Sequence, residues 1–184
     1  MKEENEPFEG LYSLPGFPLV LITVDRNIMT AAAFSFYSFT PPSVMVGIMP
    51  KNFTYELILE KLEFGINIPT HEQLEMTRIC GSLSGRNADK YQRAGVTPKK
   101  GQVIGSYLIT ECPVNLECKV VHEIRYKGSH RWFIGEIVAA HVKEGYKRGE
   151  ALMYWLEEFR GVGRILLSTR SKKDGAQGVK TRWN

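Results

Sequence analysis

Residues 80–91, CGSLSGRNADKY, carry the strongest chemical signal in the chain. Ser82 and Ser84 bring hydroxyls, Gly85 a flexible backbone, and Arg86 and Lys90 two cations, all close together in sequence. That combination suits a phosphate. Glycine lets backbone N–H groups converge on an anion, and each charge-assisted hydrogen bond is worth roughly 1.5–3 kcal/mol. Asn87 is placed to cap a short helix. A Gly-Ser surface loop with a solvated charged rim accounts for the same composition.

A second stretch, NIMTAAA at 27–33, turns small between the strand-like PLVLITV and the aromatic run FSFYSFTPPSVMVGI. Alanine favours helix, yet the neighbours are β-branched and aromatic residues that favour strands. Small side chains in a strand also let something flat, a ligand or another backbone, lie against the main chain. A tightly packed barrel corner is the plainer explanation. No nucleophile elbow, P-loop, dinucleotide-binding glycine motif or framed pair of carboxylates is present, so no catalytic residue is assigned. Chemistry carried by a bound cofactor needs none of these.

The elements that must position these stretches are mostly strands. Pro18 to Val24, Ser43 to Met49 and Phe64 to Ile68 are short apolar runs bounded by turn-formers. Leu116, Cys118, Val120, His122 and Ile124 alternate with Glu117, Lys119, Val121 and Glu123, predicting one dry and one wet face. Leu116 to Lys143 reads as one long antiparallel hairpin around Gly128 and Ser129. Helices are predicted from Thr54 to Leu62 after Asn52, and from Thr70 to Cys80, where Thr70 and Gln73 have capping-box spacing. A third is predicted over GEALMYWLEEFRG, with Leu152, Trp155, Leu156 and Phe159 on one face needing cover. Strands do not alternate with helices, which favours an antiparallel barrel over a parallel sheet.

With 184 residues, 43% hydrophobic, the chain is expected to be a single domain over 1–184. Basic residues gather at the end: Arg164, Arg170, Lys172, Lys173, Lys180 and Arg182 face only Asp174, leaving the rest nearly neutral. A wholly basic nucleic-acid binder would look different, and 168–184 reads as a solvated, partly mobile end rather than a nucleic-acid arm. No apolar run reaches membrane-span length and residues 1–10 lack a signal peptide's apolar region, so a cytoplasmic location is expected. Cys80, Cys112 and Cys118 read as buried thiols, and no metal site is suggested.

NIMTAAA, SFTPPSVMVGI, KNFTYELI, FGINIP, SGRNADKY and HRWFIGEIV fall in the order and spacing of the flavin reductase-like family. The chain resembles these FMN-binding split-barrel proteins, flavoredoxin among them, from about Leu19 to Val142. The resemblance implies a mainly β fold, an antiparallel Greek-key split barrel with peripheral helices. It further implies FMN held non-covalently near the interface of a homodimer. Asn27 and Thr30 match positions that bond the flavin ring, with Met29, Ala31, Ala32 and Ala33 beside it. Thr54 and Lys90 match residues that receive the phosphate, next to Ser84 and Gly85, and His130 matches a histidine that approaches the cofactor. Many relatives have an aromatic at Ala33, for which Phe34 or Phe36 is a candidate substitute. The segment beyond Glu144 matches no motif.

The activity so implied is hydride transfer from NADH or NADPH to FMN, with electrons passed to an acceptor the sequence does not identify. A non-enzymatic FMN electron carrier is the alternative. An oxidase of the pyridoxamine-phosphate type shares the barrel but fits the motif order less well.

Overall fold

The computed structural model describes residues 6–164 and residue 166; the basic tail read at 168–184 lies outside the described residues. In chain order the elements are helix α1 (Pro7–Tyr12), strands β1 (Phe17–Pro18), β2 (Val20–Val24), β3 (Asn27–Ala31), β4 (Phe34–Phe39) and β5 (Pro42–Ile48), and helix α2 (Phe53–Lys61). Then come β6 (Glu63–Ile68), a short 3-10 turn (His71–Gln73), α3 (Leu74–Ser82) and α4 (Lys90–Ala94). Strands β7 (Pro98–Lys100), β8 (Tyr107–Ile109), β9 (Val114–Ile124), β10 (Arg131–Val142), β11 (Leu152–Trp155) and β12 (Glu158–Gly161) complete the chain.

Seven strands form one antiparallel sheet in the order β3-β2-β6-β9-β10-β5-β4, curled into a split barrel. Ala32 and Ala33 link β3 at one end of the sheet to β4 at the other, and Gly47 N donates to Ala33 O at 2.7 Å in register with the β4–β5 pair. NIMTA is therefore strand, not helix. β2 is buried along its whole length because both its faces are covered. Val20, Ile22 and Val24 point into the barrel with Val46, Ile48, Phe64 and Phe133, while Leu21 joins Ile28, Met76, Cys80 and Tyr91 beneath α3 and α4.

The predicted capping box forms: Thr70 N donates to Gln73 Oε1 at 3.0 Å, and the Thr70 hydroxyl accepts from Glu72 N. Asn87 is not the cap of α4. Asp89 holds that place, accepting from Gln92 N at 3.2 Å, because the helix starts two residues later than the sequence pattern suggested. All three cysteines are buried and unpaired as disulfides. Burial pushes the Cys80 thiol up to about 11 and that of Cys118 up to about 12, so neither is a reactive thiolate.

Two expectations fail. The third helix is a hairpin: β11 and β12 pair around Leu156 and Glu157, both in the left-handed region at φ 46° and 69°. Tyr154 and Trp155 are poorer helix formers than strand formers. Pairing of β11 with β1 settles the outcome, giving a three-stranded sheet β1-β11-β12. Glu117, placed on the wet face by simple alternation, is 0% exposed. The loop before β8 folds over it, and its carboxylate accepts from the amides of Gln102, Val103 and Ile104 at 2.7–2.9 Å and lies 2.7 Å from His141 Nε2.

Burial opposes ionisation of Glu117, but the bonds from His141 and those three amides outweigh it and hold its carboxyl at about 2. Since this lies below the ordinary 4.5, Glu117 stabilises the fold fully above that value, and the contribution is lost as pH falls towards 2. Glu117→Gln is expected to lower unfolding free energy by about 2–4 kcal/mol at pH 7. In urea unfolding the difference between variant and parent should shrink steadily below about pH 4.5. A difference independent of pH would contradict an ionised Glu117.

Candidate functional site

Two cavities meet at the outer edge of β3. The polar one, of about 350 Å³, is bounded by the start of β3, the N-terminus of α2 and the end of α3. Asn27, at the first position of β3 and 5% exposed, donates through Nδ2 to the Thr54 hydroxyl at 2.8 Å. Its Oδ1 is buried and has no partner. Gly85 packs directly onto that oxygen, since a Cβ there would lie 1.9 Å from Oδ1. Close approach explains the glycine. The Thr54 hydroxyl can donate as well as accept, so the amide can turn over and present Nδ2 to the cavity instead.

The charge of this cavity is positive. Among the described residues Lys51 and Lys90 line it together with Ser84, and no acidic side chain does. Asn52 occupies the N-cap of the nine-residue α2 with its carbonyl accepting from Tyr55 N at 3.0 Å but with no side-chain bond to the first turn, its amide lying 3.7 Å from Met29 Sδ. No side chain caps the N–H groups of Phe53 and Thr54, which line the cavity at the positive end of the helix dipole. Lys90 is 5% exposed and donates to Ile28 O at 2.7 Å and Cys80 O at 2.8 Å. Burial lowers its pKa below the usual lysine value, countered in part by Cys80. One of its three N–H groups remains for a ligand. Arg86 takes no part: it pairs with Glu56 and lies 4.9 Å over the Phe53 ring.

The second cavity, of about 980 Å³, is mostly apolar and runs along Ala31, Ala32 and Ala33. Met29, Thr30 and Met49 border both cavities and form the neck between them. The Thr30 hydroxyl donates to Thr77 O at 2.7 Å, so towards a ligand it acts as an acceptor. Trp132 on β10 lies against Gly47, where a Cβ would come within 3.1 Å of the indole and 3.0 Å of Ala33 Cβ. Trp132, which the sequence did not single out, lines the cavity with Ala33, as do Phe34 and Phe36, the substitutes the sequence offered. His130 stands at the tip of the β9–β10 hairpin with Nδ1 2.8 Å from Ser129 Oγ.

Residues 12–163 match the flavin reductase like domain family. The chain belongs to the flavin reductase-like family. An uncharacterised protein of Archaeoglobus fulgidus is 34% identical over 142 residues, 77% of this chain and 80% of the relative. Among solved structures, flavoredoxin of Desulfovibrio vulgaris (Miyazaki F) is 28% identical with a TM-score of 0.80, covering 94% of this chain and 100% of that one. Flavoredoxin from Methanosarcina acetivorans is 25% identical with a TM-score of 0.81, covering 94% and 97%. The fold is thus the family's split barrel, and the class of function is that of flavin-linked oxidoreduction.

All eleven residues singled out in the sequence line these two joined cavities: Asn27, Met29, Thr30, Thr54, Ser84, Gly85 and Lys90 the polar one, Ala31, Ala32, Ala33 and His130 the apolar one. Sequence reasoning missed Lys51, Trp132, Phe17, Tyr154 and Trp155. Lys51 carried a signal, being two residues before α2 begins. The aromatics carried none, because strand pairing alone brings them to the site. Among the described residues no cluster could hold a metal ion, and no helix is long and apolar enough to cross a membrane.

Gly85→Ala is expected to displace the Asn27 amide and cost about 0.5–1.5 kcal/mol of stability, the worth of its bond to Thr54. Asn27→Ala should relieve that clash, so a double-mutant cycle by thermal unfolding should show the two losses to be strongly non-additive. Additive losses would mean that Gly85 and Asn27 do not touch.

Proposed function

We propose that this chain binds FMN and is an NAD(P)H-dependent flavin reductase. The observation that carries the reading is the junction at Met29 and Thr30, where a flat apolar slot opens into a compact positive cavity at a helix N-terminus. A planar ring on a phosphorylated tail has that shape and charge. FMN rather than FAD is supported by a cavity suited to one terminal phosphate and by the lack of a dinucleotide-binding glycine motif. The family and the two flavoredoxins support the flavin itself.

Bound FMN supplies a ring able to take two electrons as hydride from a reduced nicotinamide. The chain contributes position and dryness. Lys51, Ser84, the first turn of α2 and the remaining N–H of Lys90 hold the phosphate, while the buried amide of Asn27 reaches the ligand through whichever end faces the cavity. Ala31, Ala32 and Ala33 keep the strand bare so that a ring can approach the backbone, and Trp132 bounds the slot. His130, engaged by Ser129 through Nδ1, offers Nε2 to a ligand. No carboxylate lines the apolar cavity, as suits a transfer that needs alignment more than acid or base.

A non-catalytic electron carrier is the second reading, favoured by the likeness to the flavoredoxins. Steady-state oxidation of NADH and NADPH with added FMN separates the two. A homodimer is also proposed, on a different basis from the one the sequence offered: Leu152 is buried and Trp155 bonds Leu11 O within the chain, whereas Phe36 and Tyr37 on β4 are about half exposed.

Lys51 is exposed and bonds nothing that folding requires, so it isolates the phosphate contact. Lys51→Ala is expected to weaken FMN binding about tenfold and leave riboflavin, which lacks the phosphate, unchanged. Lys90→Ala should weaken FMN by about 1.5–3 kcal/mol. It should also lower stability, because Ile28 O and Cys80 O lose their donor. Fluorescence titration with both ligands provides the check. Equal losses for FMN and riboflavin in the Lys51 variant would put the phosphate elsewhere, and failure of the parent protein to quench FMN would overturn the reading.

A further inference from the structure

The tip of the β9–β10 hairpin carries positive charge that the flavin seat leaves unused. Within residues 123–131 the one acid, Glu123, is met by Arg125 at 2.7 Å. Neither Lys127 nor Arg131 forms an ion pair among the described residues. Arg131 binds the backbone instead, its Nη1 donating to Tyr126 O at 3.0 Å and to Gly128 O at 3.2 Å. Those bonds occupy carbonyls of the tip and leave its amides alone. The N–H groups of Lys127, Gly128 and Ser129 are exposed and meet no acceptor among the described residues. Gly128 turns the chain at φ 146°, which a side chain would strain. Free amides, a hydroxyl and two unpaired cations on one short turn suit an anion. Lys127, Ser129 and His130 line the apolar cavity, and none of them borders the polar cavity assigned to the FMN phosphate. The tip is thus a positive centre separate from that of Lys51 and Lys90.

We propose that this tip seats the phosphates of the reduced nicotinamide dinucleotide, and that Lys127 sets how tightly the donor is held. The inference rests on the reading above, in which such a donor reduces the flavin. A dinucleotide carries its charge on the pyrophosphate, and NADPH adds a 2′-phosphate of about two further charges. Taking a phosphate against alanines and aromatic rings without partners is costly. The hairpin tip supplies those partners at the border of the same cavity. Lys127 is exposed, so it meets the anion at the rim and touches neither the flavin ring nor the hydride. Such a contact is as strong before the transfer as during it. It lowers the half-saturating donor concentration and leaves the limiting rate alone.

The test uses the FMN-loaded protein, mixed without oxygen with NADPH, with NADH, or with N-benzyl dihydronicotinamide, a hydride donor that has the ring but no phosphate. Bleaching of the flavin absorbance reports each transfer. Lys127→Ala should raise the half-saturating concentration of a dinucleotide about fivefold at an unchanged limiting rate, and Lys127→Glu about twentyfold. Bleaching by the phosphate-free donor, FMN affinity and the thermal midpoint should stay as in the parent. Lys127→Arg, which keeps the charge, should behave as the parent with every donor. A loss confined to NADPH assigns the seat to the 2′-phosphate, and an equal loss with both dinucleotides assigns it to the pyrophosphate they share. Dinucleotide constants indifferent to the charge at 127 would overturn the inference, as would an equal loss with the phosphate-free donor or a loss of FMN affinity. Reduction by the phosphate-free donor but by neither dinucleotide would overturn it while leaving FMN binding intact. A protein that binds no FMN would overturn the reading beneath it as well.

Discussion

The two end strands of the sheet, β3 and β4, are consecutive in the chain and joined through Ala32 and Ala33, where the hydrogen bond from Gly47 N to Ala33 O extends the β4–β5 pairing, and the site depends on how closely β5 packs on that link. Neither side of that link carries bulk. A Cβ on Gly47 would already press on Ala33 and on the Trp132 indole. The same smallness that lets β5 approach Ala33 leaves the chain from Ala31 to Ala33 bare towards the large cavity, which Trp132, from the strand paired with β5, also lines. One packing constraint therefore shapes both the fold and the slot. A larger residue at 33 or 47 would spoil the two together, which is why structural and functional explanations of the three alanines are not rivals.

The polar half follows a similar logic with charges. Burying an ammonium is unfavourable unless its donors are met, and Lys90 meets two of its three with Ile28 O and Cys80 O. It thereby ties β3 to the last turn of α3 and sets the distance between the two walls of the polar cavity. Its charge is held where α2 also points its positive end. Asn27 and Thr54 join the other pair of walls, β3 and α2, by a single side-chain bond. The cavity is thus preformed by interactions that exist without a ligand, so little ordering is left to oppose binding.

Much of this was legible in the sequence. Apolar runs bounded by turn-formers marked β2, β5 and β6, and Thr70 with Gln73 marked the turn into α3. All eleven candidate residues converge on one connected site, because they lie at strand starts, helix starts and a tight loop, where side-chain type reflects local geometry. The failures share a cause. Leu152 to Phe159 has helical spacing, and only its pairing with β1, more than a hundred residues earlier, makes it a hairpin. Glu117 alternates like a surface residue, yet a loop closes over it. Trp132 reaches Ala33 through the register of β10 on β5. Periodicity within a segment carries no information about what packs on it from elsewhere.

The central claim, a phosphorylated ring held with its phosphate in the positive cavity beside α2, is tested most directly by phosphorus NMR of FMN bound to the protein. Free phosphomonoesters titrate with a second pKa of about 6. Held by Lys51, Lys90 and the first turn of α2, the bound phosphate should remain a dianion, with a shift that does not move between about pH 7.5 and 5 while the ring fluorescence stays quenched. A resonance that titrates as in free FMN, with the ring still quenched, would place the phosphate in solvent and contradict the account.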